Sequence, residues 1–438
     1  MNSPRARIGL LGLVLAAGLL APGAATAAPL PEPGTATGAA TTRAASAPGP
    51  TAEERRLDGA VPREILRRSG FDGVAPRFER ALRAARSYGE ARGVAVREGA
   101  RLWRLAVDRA QRRGTVAGDL SGEDDRPLYW SRLAMTRELR AWKPAFRLTG
   151  SQRAALLERV ERTSRGQESV RYPRRDGTDG RRVLVTGFDP FTLDRDIRIS
   201  NPSGASALAL DGTTVRTAKG PARVEAVVFP VRWDDFAEGT VERVLRRWLP
   251  RVDLFTTLSQ GRIGRFDVER TNGAWRGGAL DNANVSREGT VPVTDPASRP
   301  QWTSTTLPYG ALTAAETGRF PVRDNTEVTE IPAGATEPVV RPDGPTPGST
   351  ARAGGGGDYL SNEIAYRATL LRDRLGLHDT LPGGHLHTPV LQFAPDNADP
   401  ASGEITDPAF VRNRRDIVDQ VRSLVTTAAD NVPVLTME

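Results

Sequence analysis

The sequence contains no cysteine. A chain without thiols forms no disulfide, holds no cysteine-ligated zinc or iron–sulfur cluster, and has no thiol nucleophile. Histidine is also scarce, with three residues at His378, His385 and His387. A general base for nucleophilic catalysis titrates near neutral pH, so these few imidazoles are the natural candidates for that role.

Lysine occurs only at Lys143 and Lys219, so nearly all of the 61 basic residues are arginines, against 53 acidic ones. The formal charge of +8 could attract polyanions. The arginines are scattered among Asp and Glu, however, and no basic run alternates with aromatic residues as a stacking platform for nucleic acid requires. We therefore expect no nucleic-acid partner.

The 438 residues are 38% hydrophobic and 26% charged, the composition of a soluble globular protein of one to three domains. At the N-terminus, Arg5 and Arg7 precede an apolar stretch over 8–20 and the small residues of 25–27. This pattern predicts a secretory signal peptide over 1–27, with an uncleaved anchor as the alternative. The apolar stretch is short for a membrane span, so we expect a secreted or cell-wall associated protein without stable membrane insertion after cleavage.

Residues 28–51 are rich in Ala, Pro, Thr and Gly and are predicted to form a flexible spacer, because they bury too little apolar surface to fold. From 52 to 166 apolar residues recur at helical spacing, with breaks near 114–125 and Pro144. This predicts a small helical region of unknown role. It could be a propeptide that covers the site, a wall-binding module or a structural extension of the fold.

After residue 181 the pattern changes. Short β-branched runs at 183–186, 224–231 and 252–258 are separated by an amphipathic segment that contains Val241 and Leu245. Strands that alternate with helices predict an α/β fold, a three-layer α/β/α sandwich with a mostly parallel central sheet over 181–438. A last helix is predicted after Asp407 and Pro408, which suit its N-terminal positions.

Residues 331–357 are dense in Pro, Gly and Thr and are predicted to form an inserted surface loop. The glycine run at 354–357 leads into a helical pattern with Ser361 in its first turn, and we expect Asp358 to cap this helix. Ser361 would then lie beside unpaired backbone donors at the positive end of the helix dipole.

Two histidines, His385 and His387, lie two residues apart before Pro389, at the end of a predicted strand. Their side chains would face the same way and could bind a metal ion. A third ligand is missing, because the chain has no cysteine and its carboxylates show no ligand spacing. We therefore expect no metal site and no cofactor, and His387 remains a candidate base.

One motif is specific enough to indicate a family. The block Gly-Phe-Asp-Pro-Phe at 187–191 resembles the start of type I pyroglutamyl peptidases. Weaker islands follow in that family's order over about 182–393: Asn201–Ser203, Ser259–Gly261, Val268–Arg270, Leu280–Asn282, Thr306–Pro308, Gly357–Asn362 and Leu386–Pro389.

The resemblance implies an α/β/α sandwich that removes N-terminal pyroglutamate with a Cys-His-Glu triad. The Glu falls on Glu269, the His on His387, and the nucleophilic Cys on Ser361. The same resemblance implies that Phe188, Phe191 and Gln260 bind the substrate, a peptide or a small lactam. The pair Thr192–Leu193 stands where that family has two glycines, which puts the pocket's shape and its substrate in question.

Replacement of Cys by Ser changes the chemistry of the site. A cysteine paired with histidine can exist as a thiolate, whereas a serine must lose its proton to the base during attack. The retained His and Glu favour a secreted hydrolase with a Ser361–His387–Glu269 triad. The alternative is a non-catalytic relative that binds a pyroglutamyl-like or cell-wall ligand. The sequence leaves the oligomeric state open.

Overall fold

The computed structural model describes residues 49–114, 117–174 and 180–432, all within one compact unit. The predicted signal peptide and most of the predicted spacer lie outside these residues. Within the described ranges no helix combines the length and apolar character needed to cross a bilayer.

Twelve α-helices are present in the described residues: α1 Ala52–Arg55, α2 Ala60–Ser69, α3 Val74–Ala84, α4 Tyr88–Ala110, α5 Arg126–Ala141, α6 Gly150–Thr163, α7 Pro202–Leu210, α8 Trp233–Ala237, α9 Thr240–Trp248, α10 Tyr309–Ala314, α11 Leu360–Arg374 and α12 Pro408–Asp430. The cap predicted for α12 is confirmed, since the Asp407 carboxylate accepts from the N–H of Phe410 at 2.8 Å. The region 52–166, predicted to be helical, contains α1 to α6.

Fourteen strands accompany them in the same residues: β1 Arg181–Phe188, β2 Thr213–Thr217, β3 Gly220–Phe229, β4 Leu254–Gln260, β5 Phe266–Glu269, β6 Thr271–Gly273, β7 Trp275–Gly277, β8 Glu288–Thr290, β9 Trp302–Ser304, β10 Val322–Asn325, β11 Val328–Ile331, β12 Val339–Arg341, β13 Thr350–Ala353 and β14 Gly383–Thr388.

Seven strands form the central sheet in the order β10-β5-β14-β4-β1-β3-β2. The pairs β1–β3, β1–β4, β14–β4 and β10–β5 are parallel, whereas β14–β5 and β2–β3 are antiparallel. The predicted mostly parallel sheet is therefore confirmed. β14, the last strand of the described residues, is an interior strand between β5 and β4.

Each face of the sheet is covered by helices. Val183 and Val185 of β1 belong to an apolar core shared with α7 and α12, whereas Leu184 belongs to a second core shared with α9 and α11. Successive side chains of a strand point to opposite faces, so this alternation places one helical layer on each side. The three-layer α/β/α arrangement is confirmed.

The helices before residue 166 pack on this sandwich. The indole N–H of Trp103 in α4 donates to the Asp211 carboxylate at 3.0 Å, and the Gln111 side chain donates to the carbonyls of Leu208 and Asp211 at 3.0 and 2.7 Å. Trp103 and Leu208 lie in the same apolar core. The helical region is thus joined to α7 by shared apolar packing and by buried hydrogen bonds.

Residues 331–357, predicted to form an inserted surface loop, include the end of β11 and the short strands β12 and β13. β11, β12 and β13 form a small antiparallel sheet in the order β12-β11-β13. Its polar anchor is Glu330, whose buried carboxylate accepts from Arg341, from the N–H of Thr346 and from its hydroxyl. The strands are only three or four residues long, and the Pro, Gly and Thr residues between them gave the segment the composition of a loop.

Candidate active site

A concave site lies where the strands of the central sheet end. Phe188 is the last residue of β1, Gln260 the last of β4, and His387 the last but one of β14. These three strands are parallel in the order β14-β4-β1, so their carboxyl ends meet at one edge of the sheet. Ligand sites of open α/β sheets form at such edges.

The site's imidazole and carboxylate are hydrogen-bonded to each other. His387 Nδ1 and Glu269 Oε1 are 2.6 Å apart, and both side chains are almost fully buried. β5 runs antiparallel to β14 and pairs His387 with Asp267, so Glu269 reaches the imidazole diagonally from two residues further along. With Nδ1 engaged by the carboxylate, Nε2 is the ring nitrogen left to exchange a proton with a substrate or nucleophile.

Ser361 is the second residue of α11 and lines the same cavity as His387. Its hydroxyl donates to the carbonyl of Gly356 at 2.9 Å, so it is not hydrogen-bonded to the imidazole here. The prediction that Asp358 caps the helix is wrong: Tyr359 holds the N-cap position and makes no side-chain cap bond. α11 begins one residue later than such a cap requires.

The predicted substrate residues lie together around this cavity of about 310 Å³. Phe188, Phe191 and Gln260 line it along with Ser361 and His387. Phe191 stacks on Tyr359 with ring centroids 6.2 Å apart, and Phe188 stacks on Phe236 at 6.1 Å. The structure therefore brings five of the six predicted residues to one cavity, with Glu269 buried behind the imidazole.

His385 is fully buried and differs from its neighbour. Its Nδ1 lies 2.7 Å from the Thr257 hydroxyl and its Nε2 2.8 Å from the Ser259 hydroxyl. Burial, and then the nearby imidazole of His387, lower the pKa of His385 well below its usual value. Because both ring nitrogens are engaged by hydroxyls, His385 supports the interior of the sheet. The described residues contain no group of three or more acidic or histidine side chains arranged as metal ligands.

Comparison with known proteins identifies a family. A family model described as the PA0049 N-terminal domain matches residues 33–161, and one described as the PA0049 C-terminal domain matches 182–298 and 320–392. The Pseudomonas aeruginosa protein "Uncharacterized protein PA0049" is 36% identical over an alignment that covers 85% of this chain and 88% of its own length. The chain belongs to the PA0049 family.

Solved structures similar to this PA0049-family chain are pyroglutamyl peptidases. Pyroglutamyl peptidase I of Bacillus amyloliquefaciens is 19% identical, with a TM-score of 0.37, over 57% of this chain and 97% of its own. The pyrrolidone carboxyl peptidase of Thermococcus litoralis is 18% identical, with a TM-score of 0.39, over 57% and 94% of the two chains.

The prediction from sequence missed two polar residues of the PA0049-family site, Asn325 and Arg262. The Asn325 amide, at the end of β10, donates to Glu269 Oε2 at 2.5 Å and to the Gly355 carbonyl at 3.1 Å. Arg262 lines the cavity with its guanidinium 3.7 Å from Glu269 Oε1. Arg262 directly follows Gln260–Gly261 and could have been found by its position. Asn325 is the last residue of a short polar strand, and no pattern marks it.

The glycine run ends in the cavity wall of the PA0049-family chain, where side chains do not fit. A methyl group on Gly355 would lie 2.3 Å from Glu269 Oε2, and one on Gly356 would lie 3.3 Å from His387 Cε1. Gly357 has φ of 82°, in the left-handed region that favours glycine. In contrast, Thr192 has φ of 59°, a strained conformation for a β-branched residue beside the cavity wall.

The buried carboxyl group of Asp125, behind the cavity, should make the stability of this PA0049-family chain depend on pH. Asp125 accepts from the Asn201 N–H at 3.0 Å and from the Ser200 hydroxyl. Burial, and then the charge of Asp124, raise the pKa of Asp125 to about 7. The pKa of an Asp in the unfolded chain is about 4. Between about pH 4 and about pH 7, Asp125 is therefore protonated in the folded chain and ionised in the unfolded chain, so the free energy of unfolding falls as pH rises through this range.

We therefore expect the free energy of unfolding of the wild type to fall by a few kcal/mol relative to that of Asp125→Asn as pH is raised from about 4 to about 8. Urea unfolding at several pH values measures this difference. Burial also raises the pKa of Asp211, to about 6. Asp211 is present in both proteins, so its contribution to the pH dependence cancels in the comparison. Parallel stability curves for the two proteins would refute the assignment.

Proposed function

We propose that this chain is an exported hydrolase that cleaves an N-terminal pyroglutamyl group or a related amide, with Ser361 as nucleophile. The observation that carries the proposal is the 2.6 Å contact between His387 Nδ1 and Glu269 Oε1 in the wall of a cavity that Ser361 also lines. Nucleophile, imidazole and carboxylate are the three parts of a serine-hydrolase triad, whose roles recur on unrelated folds.

In the proposed reaction, Ser361 Oγ attacks the carbonyl carbon of the scissile amide while His387 Nε2 takes the hydroxyl proton. The tetrahedral intermediate then expels the amine, which receives that proton from the imidazole, and an acyl ester on Ser361 remains. Water hydrolyses this ester by the same proton transfers. Glu269 accepts from Nδ1–H, fixes the tautomer and stabilises the imidazolium.

The developing oxyanion requires hydrogen-bond donors. Ser361 is in the first turn of α11, where backbone N–H groups have no acceptor within the helix and the helix dipole is positive. We propose that these N–H groups stabilise the oxyanion, a contribution that is often the largest in acyl transfer.

The orientation of Ser361 also fits a second function. The Ser361 hydroxyl donates to Gly356 and not to His387, so attack requires this hydroxyl to turn from the Gly356 carbonyl to the imidazole. A non-catalytic protein that binds a pyroglutamyl-like ligand could retain the serine in this orientation. Catalytic hydrogen bonds are often closed only in the substrate complex, so both functions predict this geometry in the free protein.

Turnover separates the two functions. Incubation of the wild type and of His387→Ala with a fluorogenic pyroglutamyl amide should give release by the wild type alone. A serine-directed fluorophosphonate should label the wild type without requiring the right leaving group. Absence of both release and labelling, together with binding of pyroglutamate amide detected by calorimetry, would support the binding function.

The lack of cysteine allows a test that requires no substrate. In Ser361→Cys the only thiol lies at the proposed nucleophile position, and an adjacent imidazolium should lower its pKa. At about pH 6 we expect iodoacetamide to alkylate this variant about tenfold faster than Ser361→Cys/His387→Ala.

Ser286→Cys provides the matched control, because Ser286 is exposed and lies outside the cavity. The thiol of this variant should be alkylated at the rate of an ordinary exposed cysteine, and removal of His387 should not change that rate. Equal rates for Ser361→Cys with and without His387 would mean that the imidazole does not reach the nucleophile position.

A further inference from the structure

The cavity wall formed by residues 188–191 is held from behind by the helical region. Asp189 is 2% exposed and lies between the two aromatic residues that line the cavity. Its carboxylate accepts from Arg165 Nε and Nη2 at 3.1 and 2.7 Å, and from Arg132 on its other oxygen. Arg132 lies in α5 and Arg165 follows α6.

A second contact from the helical region reaches the same wall. Asp125, directly before α5, accepts from the N–H of Asn201. The Asn201 side chain donates to the Asp189 carbonyl at 2.9 Å, and Asn201 itself lines the cavity. Polar side chains from two places in the helical region therefore converge on one short segment of the wall.

These buried charges are poorly arranged for stability alone. Arg132 is fully buried, yet its Nε and Nη1 have no hydrogen-bond partner among the described residues. Arg165 shares its charge between Asp189 and Glu161. Buried ion pairs cost desolvation energy that apolar packing would avoid, and their best-attested benefit is to fix one arrangement.

The lining residues of the cavity all lie between 188 and 387 among those described. As far as the structure describes it, the helical region therefore supports the cavity wall from behind and contributes no residue to its lining. This is the relation expected of a structural extension, and not that of a propeptide seated on the site.

We propose that the helical region is a positioning module of the substrate cavity, in which Arg132 and Arg165 hold Asp189 so that Phe188 and Phe191 keep their places in the wall. The proposal rests on the proposed function in taking this cavity as the substrate site. Arg132, Arg165 and Asp189 are positioning residues, because they act through the two aromatic side chains.

The deciding variant is Arg132→Met/Asp189→Asn. It removes one positive and one negative charge together, so the net charge of the cluster is preserved. The introduced asparagine keeps one oxygen that can accept from Arg165, but the contact with Arg132 and the charge attraction to Arg165 are both lost. Arg165→Met is the more severe single variant. If it fails to fold, the double variant still decides. Arg140→Met is the control, since Arg140 pairs with Glu54 inside the helical region and does not touch Asp189.

Steady-state kinetics with a pyroglutamyl amide provide the first readout. In the double variant we expect KM to rise about tenfold or more with little change in kcat, because a displaced wall weakens binding while the triad stays intact. Arg140→Met should keep both constants. A folded double variant with wild-type KM would overturn the proposal.

Fluorine NMR of protein labelled with 4-fluorophenylalanine provides a readout without turnover. The signals of Phe188 and Phe191 are identified by their loss in Phe188→Leu and Phe191→Leu. In the double variant these two signals should shift or broaden, and in Arg140→Met they should not. If the wild type shows no hydrolysis, the proposed function fails while these signals still decide the positioning role. Unchanged signals in the folded double variant would overturn it.

Discussion

Replacement of Ser361 by Ala is expected to lower the hydrolysis of a pyroglutamyl amide by about 10⁴-fold or more. The variant removes the hydroxyl that is proposed to form the acyl intermediate. His387 and Glu269 then have no nucleophile from which to take a proton. The loss should appear in kcat, since the aromatic wall that binds the substrate is unchanged. Steady-state kinetics and loss of fluorophosphonate labelling both measure the effect.

Ser206→Ala is the matched control. Like Ser361, Ser206 lies in a helix and donates its hydroxyl to a backbone carbonyl, that of Pro202 at 2.7 Å, but it is buried away from the cavity. Its replacement should leave kcat and KM close to wild type. Substantial residual turnover by Ser361→Ala would assign the nucleophile elsewhere.

The largest expected effect on stability is that of Arg126→Met. Arg126 is fully buried, pairs with Asp124 through two hydrogen bonds of 2.9 and 2.6 Å, and donates to the carbonyls of Arg198 and Ile405 at 2.6 and 2.7 Å. Burial alone would raise the pKa of Asp124, but the charges of Arg126 and Arg414 hold it well below its usual value. Loss of Arg126 leaves a buried carboxylate with one guanidinium at 3.6 Å.

We expect this variant to lose about 3–5 kcal/mol of unfolding free energy, the usual cost of breaking a buried pair by removing one partner. Urea unfolding measures the loss. Arg67→Met breaks an exposed pair with Glu64 in the same helical region and should cost less than about 1 kcal/mol. Equal losses for the two variants would show that Arg126 does not join the helices to the sandwich.

The central strands could be predicted from the sequence because they are buried on both faces. Continuous β-branched runs mark β1, β3 and β4, and the spacing between them indicated intervening helices. β5 and β10 carry charged residues, Asp267 and Asp324 among them, so they lack such a run. Their place in the sheet depends on partners distant in sequence, which a local pattern does not reveal.

The site was predictable where it follows motifs and unpredictable where it depends on packing. Ser361, His387 and Glu269 were found through a family resemblance, and the bond between His387 and Glu269 required the register of β14 and β5. Asn325 contacts Glu269 from a neighbouring strand, and nothing in its own segment distinguishes it from a surface residue. The support of the wall by Arg132 and Arg165 depends on three-dimensional contact between regions that lie apart in the sequence.

The order of the sheet also governs when the site can form. β14 lies between β5 and β4, so the pair β10–β5 and the group β4–β1–β3–β2 have no shared edge until residues 383–388 are available. A nascent chain would therefore carry two open sheet edges until nearly all of it has been made. A chain truncated before residue 383 would lack β14. It would therefore be inactive and prone to aggregation through its open sheet edges.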